Sequence, residues 1–255
     1  MPIAVNLPVR ALILSATLFL GGLAVARAQT SCPAEPPAPI LHLHNFRAAL
    51  EQGKEGVVVA IGSSSTKGAK ASDPAHSYPA ELQEDLEHAL PRMHIAVINR
   101  GIGGQDAPEE LARMQADVIA VRPQLVVWQV GANGALRHAD PVTFRRLVTE
   151  GVERLKAAGI DVILMDNQHS PKIDAAPEHG LMDAILAEVA EATDVGLFSR
   201  AGLMAAWARE GVPTITFIAT DNLHQNDLGY ECVAKALADA ILDGLRETRT
   251  LSARR

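Results

Sequence analysis

The most informative segment of this 255-residue chain for its fold is Val57-Val58-Val59-Ala60-Ile61-Gly62-Ser63-Ser64-Ser65. Its first five residues form a short, continuous apolar run that is rich in β-branched side chains, which is typical of a strand buried on both faces. The glycine and the serines that follow indicate a tight turn at the end of that strand. Strands buried on both faces occur in parallel sheets covered by helices, so the segment predicts the first strand of an α/β domain.

Four further apolar runs follow along the chain, at residues 95–98, 125–130 and 160–165, with a weaker one at 195–198. Helix-like stretches lie between and after these runs, at residues 78–90, 108–121, 141–158, 177–193, 202–210 and 226–245. Strands that alternate with helices of this length predict a three-layer α/β/α sandwich of the flavodoxin-like type, with a central, mostly parallel five-stranded sheet.

The first 28 residues have the features of a secretory signal peptide. Arg10 precedes a continuous apolar stretch, and Ala26-Arg27-Ala28 fits a cleavage site before Gln29. The alternative is a membrane anchor, but the apolar stretch is short for a span. We therefore expect an exported protein, periplasmic or secreted, with no stable membrane anchor after cleavage. The remaining chain is predicted to form a proline-rich arm over residues 29–40, a single α/β domain over 41–250 and a tail over 251–255.

Composition narrows the range of partners. The formal net charge is −7, which argues against nucleic acids and anionic lipid surfaces as partners. Aromatic residues make up only 4% of the chain, which weakens the case for a cleft that stacks on polysaccharide rings. The two cysteines, Cys32 and Cys232, are too far apart for a zinc motif. They could form a disulfide in an oxidising compartment, or Cys232 could be an ordinary buried thiol, and the sequence leaves both open.

Polar segments begin where three of the predicted strands end, at Gly62, Asn99 and Gly131. Because ligands bind beyond the carboxyl ends of parallel strands, these segments are expected to meet at one edge of the sheet. The serines after Gly62 can supply a nucleophilic hydroxyl, although serine after a strand also commonly caps a helix. The glycines after Asn99 let the backbone approach a ligand. Their spacing matches no phosphate-binding fingerprint, so a nucleotide site is not expected.

Two further segments complete a set of catalytic groups. Asn133 follows the third strand and can donate its side-chain amide to a developing oxyanion, or it can simply form a turn. Asp221 and His224 lie three residues apart, so one turn brings a carboxylate and an imidazole together. A hydroxyl, an amide donor and a carboxylate–imidazole pair are the groups that a serine hydrolase needs.

Other polar pairs compete with this assignment. Asp73 and His76 repeat the Asp-x-x-His spacing but have no matching partners. Asp166 and His169 follow the fourth strand and form a reserve pair, which we expect to line the pocket instead. His42 and His44 alternate like strand positions and suggest a metal, but a third ligand is not evident, so metal binding is the minority interpretation.

The order and spacing of these segments resemble the SGNH (GDSL-type) hydrolase family over roughly residues 57–240. The resemblance implies Ser64 as the nucleophile, with Asp221 and His224 completing the triad. The backbone N–H groups of Ser64 and Gly104 and the side chain of Asn133 would then form the oxyanion hole. This chain departs from the family's sequence pattern at two places, which concern the ordering of loops and the subfamily. The aspartate usual before the nucleophile is Ser63 here, and the third block reads Gly-Ala-Asn-Gly where many relatives have Asn-Asp.

The resemblance implies a serine esterase that hydrolyses carboxylic esters through an acyl-enzyme and needs no metal or organic cofactor. Its substrate would be a small acyl ester, of short or medium chain or a carbohydrate acetyl ester. Activity is expected to fall at acidic pH as His224 becomes protonated. Alternative functions are an envelope-glycan O-acyltransferase, a lysophospholipase or thioesterase, and an inactive scaffold that keeps the fold.

Overall fold

The computed structural model describes residue 1 and residues 31–34, 39 and 41–252, with side chains as far as residue 246. The signal peptide predicted for residues 1–28 therefore lies outside the described residues except for Met1, as does most of the predicted proline-rich arm. Within the described residues, no helix is long and apolar enough to cross a membrane.

The centre of the fold is a five-stranded sheet with the strand order β2-β1-β3-β4-β5, in which every pairing is parallel. The strands are β1 Gly56–Gly62, β2 Ile95–Gly101, β3 Leu125–Gln129, β4 Asp161–Met165 and β5 Gly196–Phe198. The chain leaves β1 towards β2 on one side and returns to place β3 on the other. This reversal opens a crevice at the carboxyl ends of β1 and β3, where ligands bind in sheets of this kind. The flavodoxin-like α/β fold predicted from the apolar runs is confirmed.

Helices cover both faces of the sheet. They are α1 His44–Glu51, α2 Ser64–Lys67, α3 Tyr78–Ala89, α4 Ala107–Asp117, α5 Ala132–Leu136, α6 Pro141–Ala157, α7 Pro171–Asp174, α8 His179–Thr193, α9 Arg200–Arg209 and α10 Asp227–Ser252. Short 3₁₀ turns lie at Pro74–His76, Ile119–Val121 and Thr214–Phe217. The predicted helix over 108–121 ends at Asp117, and its last residues form one of these turns. Helix α10 runs into the predicted tail, so residues 251 and 252 are helical.

Successive strand residues point to opposite faces of the sheet, and helices cover both faces, which explains why β1 and β3 are largely apolar. Val58 and Ala60 of β1 pack into a core with α1, α3, α9 and α10. Val59 and Ile61 point the other way, into a second core with α4, α6 and α8. All four side chains are fully buried, and burying an aliphatic side chain such as Ile61 stabilises the fold by about 1.5–3 kcal/mol.

Near the amino terminus of the domain, the structure corrects one prediction from the sequence and answers a question that the sequence left open. His44 is the first residue of α1, so the interpretation of His42 and His44 as strand positions was wrong. Their rings stack with centroids 6.2 Å apart. Cys32 and Cys232 form a disulfide with a Cα–Cα distance of 5.3 Å. The disulfide ties the segment before α1 to the buried face of α10.

Candidate active site

The turn between β1 and α2 places Ser64 at the carboxyl edge of the sheet. Strand β1 ends at Gly62 and α2 begins at Ser64, whose side chain is partly exposed. Two glycines let α2 lie close against the strand ends. A Cβ on Gly62 would lie 2.3 Å from Thr66 Oγ1, and a Cβ on Gly101 would lie 2.1 Å from the backbone nitrogen of Lys67. Larger residues at either position would therefore displace the helix that carries Ser64.

Ser64, His224 and Asp221 form one continuous chain of hydrogen bonds. His224 Nε2 lies 2.7 Å from Ser64 Oγ, and His224 Nδ1 lies 2.6 Å from Asp221 Oδ2. An ionised carboxylate only accepts hydrogen bonds, so Nδ1 carries the imidazole proton and Nε2 accepts from the Ser64 hydroxyl. An imidazole held in this way can take the hydroxyl proton when the oxygen attacks an electrophile.

The carboxylate of Asp221 is held in its charged form. Burial raises its pKa, but hydrogen bonds from the His224 ring and from the N–H groups of His224 and Leu223 outweigh burial and bring the pKa to about 2. Both backbone donors lie 3.0 Å from Asp221 Oδ1. The charge therefore persists at neutral pH, where it orients the ring of His224 and stabilises an imidazolium.

The loop that carries this pair is tied to the end of β4. Gln168 Nε2 donates to Leu223 O at 2.9 Å, and the N–H of Lys172 donates to Asn222 O at 3.1 Å. Asn222 has a positive φ of 59°, which asparagine tolerates better than most residues. These contacts fix the position of His224 relative to the sheet edge.

Potential oxyanion donors lie beside Ser64. A Cβ on Gly103 would lie 3.8 Å from Ser64 Cβ, so the loop after β2 runs past the serine. Asn133 Nδ2 donates to Gln105 O at 2.7 Å, which ties α5 to the same loop, and its second amide proton has no acceptor among the residues that the structure describes. Gly104 has a φ of +81°, which favours glycine. Among the described residues, the N–H groups of Ser64 and Gly104 have no acceptor.

The structure identifies Gln129 as a support of the nucleophile turn that sequence reasoning missed. Its buried Oε1 accepts from the N–H of Ser63 at 3.3 Å, from Ser63 Oγ at 3.2 Å and from Thr66 Oγ1 at 3.3 Å. Gln129 is the last residue of β3 and the only hydrophilic residue in that apolar run, which was the available signal. Ser63, which stands where the family usually has aspartate, thus bonds across to the neighbouring strand.

Two buried tyrosines contact α2 and the residues directly after it. The Tyr78 hydroxyl lies 3.2 Å from Thr66 Oγ1, and burial raises the pKa of Tyr78 to about 12. The Tyr230 hydroxyl donates to Ala69 O at 2.8 Å. Both phenols stay protonated at neutral pH, so they act as fixed hydrogen-bonding groups beneath the turn.

Asp166 and His169 do not form a pair. Asp166 is 2% exposed and accepts hydrogen bonds from Ser199 Oγ and from the N–H of Ala201 at the start of α9. Burial, reinforced by the nearby charge of Asp183, raises the pKa of Asp166 to about 7. His169 Nδ1 instead lies 2.8 Å from Asp174 Oδ1. The carboxyl group of Asp166 is therefore packed beneath the site edge.

The second Asp-x-x-His sequence has a local structural explanation. Asp73 accepts from the N–H of Ala75 at 2.9 Å and so caps the short 3₁₀ turn that follows. His76 Nδ1 lies 2.8 Å from Glu81 Oε1 on α3. In the described part of the chain, no group of three or more His, Cys, Asp and Glu side chains is arranged to hold a metal ion.

Comparison with known proteins gives one curated relative and several similar structures. The curated relative is Esterase TesA of Pseudomonas aeruginosa, 27% identical over 121 residues, which cover 48% of this chain and 59% of that protein. A two-domain esterase (CEX), active on acetylated mannans and crystallised with mannopentaose, matches with a TM-score of 0.69 at 21% identity, over 82% of this chain and 56% of its own. The acetylxylan esterase Axe2 from Geobacillus stearothermophilus matches with a TM-score of 0.61 at 21% identity, over 74% and 94%.

The chain thus spans little more than half the length of Esterase TesA and of CEX. The matches to CEX and Axe2 show that this chain shares their fold. A family model matches residues 30–247, which is most of the chain. At Gly62-Ser63-Ser64-Ser65 this chain lacks the aspartate that GDSL-type proteins have before the serine, which fits a non-GDSL family. The resemblance to SGNH-type hydrolases is confirmed, and the chain belongs to the non-GDSL lipase-like family.

Proposed function

We propose that this protein is a serine esterase with Ser64 as nucleophile, His224 as general base and Asp221 as the carboxylate that orients it. The observation that carries the proposal is the unbroken hydrogen-bond chain from Asp221 through His224 to Ser64 Oγ. A hydroxyl bonded to an imidazole, with the imidazole bonded to a carboxylate, is the arrangement that activates a serine in acyl transfer.

The reaction proceeds in two halves. Ser64 Oγ attacks the ester carbonyl while His224 Nε2 takes its proton, and the alcohol leaves with that proton, which makes the Ser64 acyl ester. Water then attacks the acyl-enzyme, His224 again accepts a proton, and the carboxylic acid departs from the restored serine. The N–H groups of Ser64 and Gly104 and the free amide proton of Asn133 stabilise the oxyanion in both halves.

We propose small acyl esters as substrates, with carbohydrate acetyl esters as one class. The CEX esterase is active on acetylated mannans and Axe2 is an acetylxylan esterase, and both support the carbohydrate class. Every Phe, Tyr and Trp among the described residues is buried, including both tryptophans. Without exposed aromatic rings there is little surface to stack on a long glycan, so short or simple esters fit better.

The test compares hydrolysis of 4-nitrophenyl acetate, butyrate and octanoate by the wild type, Ser64→Ala and Ser65→Ala. We expect Ser64→Ala to abolish turnover and Ser65→Ala, the matched change of the adjacent hydroxyl, to retain it. Labelling with a fluorophosphonate followed by peptide mapping should place the adduct on Ser64. Equal turnover in the wild type and Ser64→Ala would refute the assignment. Transfer of the acyl group to an added alcohol in preference to water would support the acyltransferase alternative.

We also propose that residues 1–28 are a signal peptide and that the protein is exported. The Cys32–Cys232 disulfide supports this, because disulfides persist mainly in oxidising compartments outside the cytoplasm. Amino-terminal sequencing of the protein recovered from the periplasm or medium should begin at Gln29. A protein that keeps Met1 and both thiols free in its native host would contradict the proposal.

A further inference from the structure

Arg137 is placed beside the proposed oxyanion donors. It directly follows α5 and lies four residues after Asn133, so the two side chains project from the same side of the helix. Arg137 Nη2 donates to Gly104 O at 2.5 Å. A Cβ on Gly104 would lie 3.9 Å from the same nitrogen. The guanidinium therefore lies over the glycine whose N–H is proposed to face the oxyanion.

Among the described residues, no carboxylate lies in direct contact with the guanidinium of Arg137. Its side chain is exposed, and in the part of the chain that the structure describes it forms no ion pair within 4.0 Å. Asp106 is close enough to interact electrostatically, but its buried carboxyl group accepts from the N–H of Ala107 and caps α4. By contrast, Arg113 and Arg145 are paired with Asp117 and Glu188.

Within the described part of the chain, most of the hydrogen-bonding capacity of Arg137 is therefore unused. A guanidinium has five N–H donors in a planar fork, and one of them is directed at Gly104 O. The others have no acceptor among the described residues, and such a fork matches the oxygens of a carboxylate or a phosphate. Lys67, one turn beyond Ser64 on α2, is a second exposed cation without an ion-pair partner in the described residues. These positive charges lie at the site edge of a chain whose net charge is −7.

We infer that Arg137 binds an anionic group of the substrate, so that the preferred substrates are esters bearing a carboxylate or phosphate close to the scissile carbonyl. The inference rests on the proposed esterase function and adds a substrate class to it. The guanidinium is anchored at Gly104 O, in the loop that runs past Ser64. Arg137 is then a specificity-determining residue, whose effect depends on the charge of the ester.

The test measures kcat/KM for charged and neutral esters of similar shape. On the acyl side, mono-4-nitrophenyl adipate is compared with 4-nitrophenyl hexanoate. On the alcohol side, 4-acetoxybenzoate and 4-acetoxyphenyl phosphate are compared with 4-acetoxybenzamide. The proteins are the wild type, Arg137→Gln, Arg137→Lys and Arg209→Gln, a matched change of an exposed arginine on α9. Ser64→Ala supplies the background rate for each ester.

For at least one pair we expect Arg137→Gln to lower the charged-to-neutral ratio by roughly 3- to 10-fold, the scale of one partly exposed charged hydrogen bond. Arg137→Lys should restore part of the ratio, Arg209→Gln should leave it unchanged, and roughly 0.5 M salt should reduce it in the wild type. The pair that responds shows which side of the ester carries the anion, and whether it is a carboxylate or a phosphate.

An unchanged ratio in every pair would overturn the inference while leaving the esterase proposal intact, because hydrolysis of the neutral esters would still depend on Ser64. An equal fall for charged and neutral esters would also overturn it, since Arg137 would then act only by holding the Gly104 turn. Absence of Ser64-dependent hydrolysis for all the esters would refute the esterase proposal and the inference together.

Discussion

Replacing Gly101 with alanine tests whether close packing of α2 on the strand ends positions the nucleophile. Gly101 is the last residue of β2 and pairs with Gly62, the last residue of β1. Its backbone is outside the left-handed region, so alanine can adopt the local conformation. The substitution therefore perturbs the site through contact alone.

The size of the perturbation follows from the distances. A Cβ on Gly101 would lie 2.1 Å from Lys67 N, 2.6 Å from Lys67 Cα and 2.6 Å from the carbonyl carbon of Thr66. Ordinary contact begins near 3.4 Å, so α2 or the strand end must move by about 1.3 Å. All three atoms are backbone, so no side-chain rotation can relieve the overlap. A shift of about 1 Å in a catalytic group can lower turnover about 100-fold, and overpacking typically costs about 1–3 kcal/mol.

The assay measures kcat for 4-nitrophenyl butyrate at a temperature well below the unfolding midpoint. Thermal unfolding of the same proteins is measured alongside. We expect Gly101→Ala to lose about 100-fold in kcat and several degrees in Tm. The matched control is Gly180→Ala, because Gly180 lies in α8 and a Cβ there would meet nothing within 4 Å apart from its chain neighbours and the backbone of its own helix. That variant should keep the wild-type kcat and should not lower Tm, because alanine favours a helix more than glycine does. Wild-type kcat and Tm in Gly101→Ala would refute the reasoning, because the overlap would then be relieved without moving Ser64.

Three further outcomes follow from the site and the core. Asp221→Asn should lower kcat about 10⁴-fold at neutral pH, because the amide no longer fixes the His224 tautomer; a loss of less than tenfold in steady-state kinetics would contradict this role. Replacing Cys32 and Cys232 together with alanine should lower the free energy of unfolding by about 2–5 kcal/mol in urea titrations, and an unchanged midpoint would count against the disulfide. Burial raises the pKa of Glu110 from 4.5 to about 8, so its contribution to stability is complete below the unfolded-state pKa and is lost as pH rises towards 8. The free energy of unfolding of the wild type should therefore decline by about 1 kcal/mol per pH unit between pH 4.5 and 8, and Glu110→Gln should remove this decline. Parallel pH profiles of the two proteins would disprove this prediction.

The long elements of the fold were predictable from the sequence, and the short ones were not. Apolar runs located all five strands, because a strand covered on both faces must be apolar throughout. Helices α2, α5 and α7 have only four or five residues, too few to show a helical period. Helix α1 was missed because His42 and His44 resemble alternating strand positions, whereas Phe46, Ala49 and Leu50 are the side chains that it buries.

The residues of the candidate site divide in the same way, into those that the sequence predicts and those that it does not. Its backbone turns and the Asp221–His224 pair are local features of sequence, so their residues could be named in advance. The supports of the site join distant positions: Gln129 bonds to Ser63, 66 residues away, and Arg137 bonds to Gly104, 33 residues away. No local pattern specifies such contacts.

Sequence patterns alone were enough to assign the fold class, the edge of the sheet at which polar segments meet and the residue types available there. These follow from apolar periodicity and from chain direction in a parallel sheet, which are properties of neighbouring residues. The folded chain alone shows that Ser64 Oγ meets His224 Nε2 across 160 residues, that Cys32 bridges to Cys232, and that Arg137 donates to Gly104. Such contacts depend on how helices and loops pack over the sheet, and packing is settled by the whole core at once.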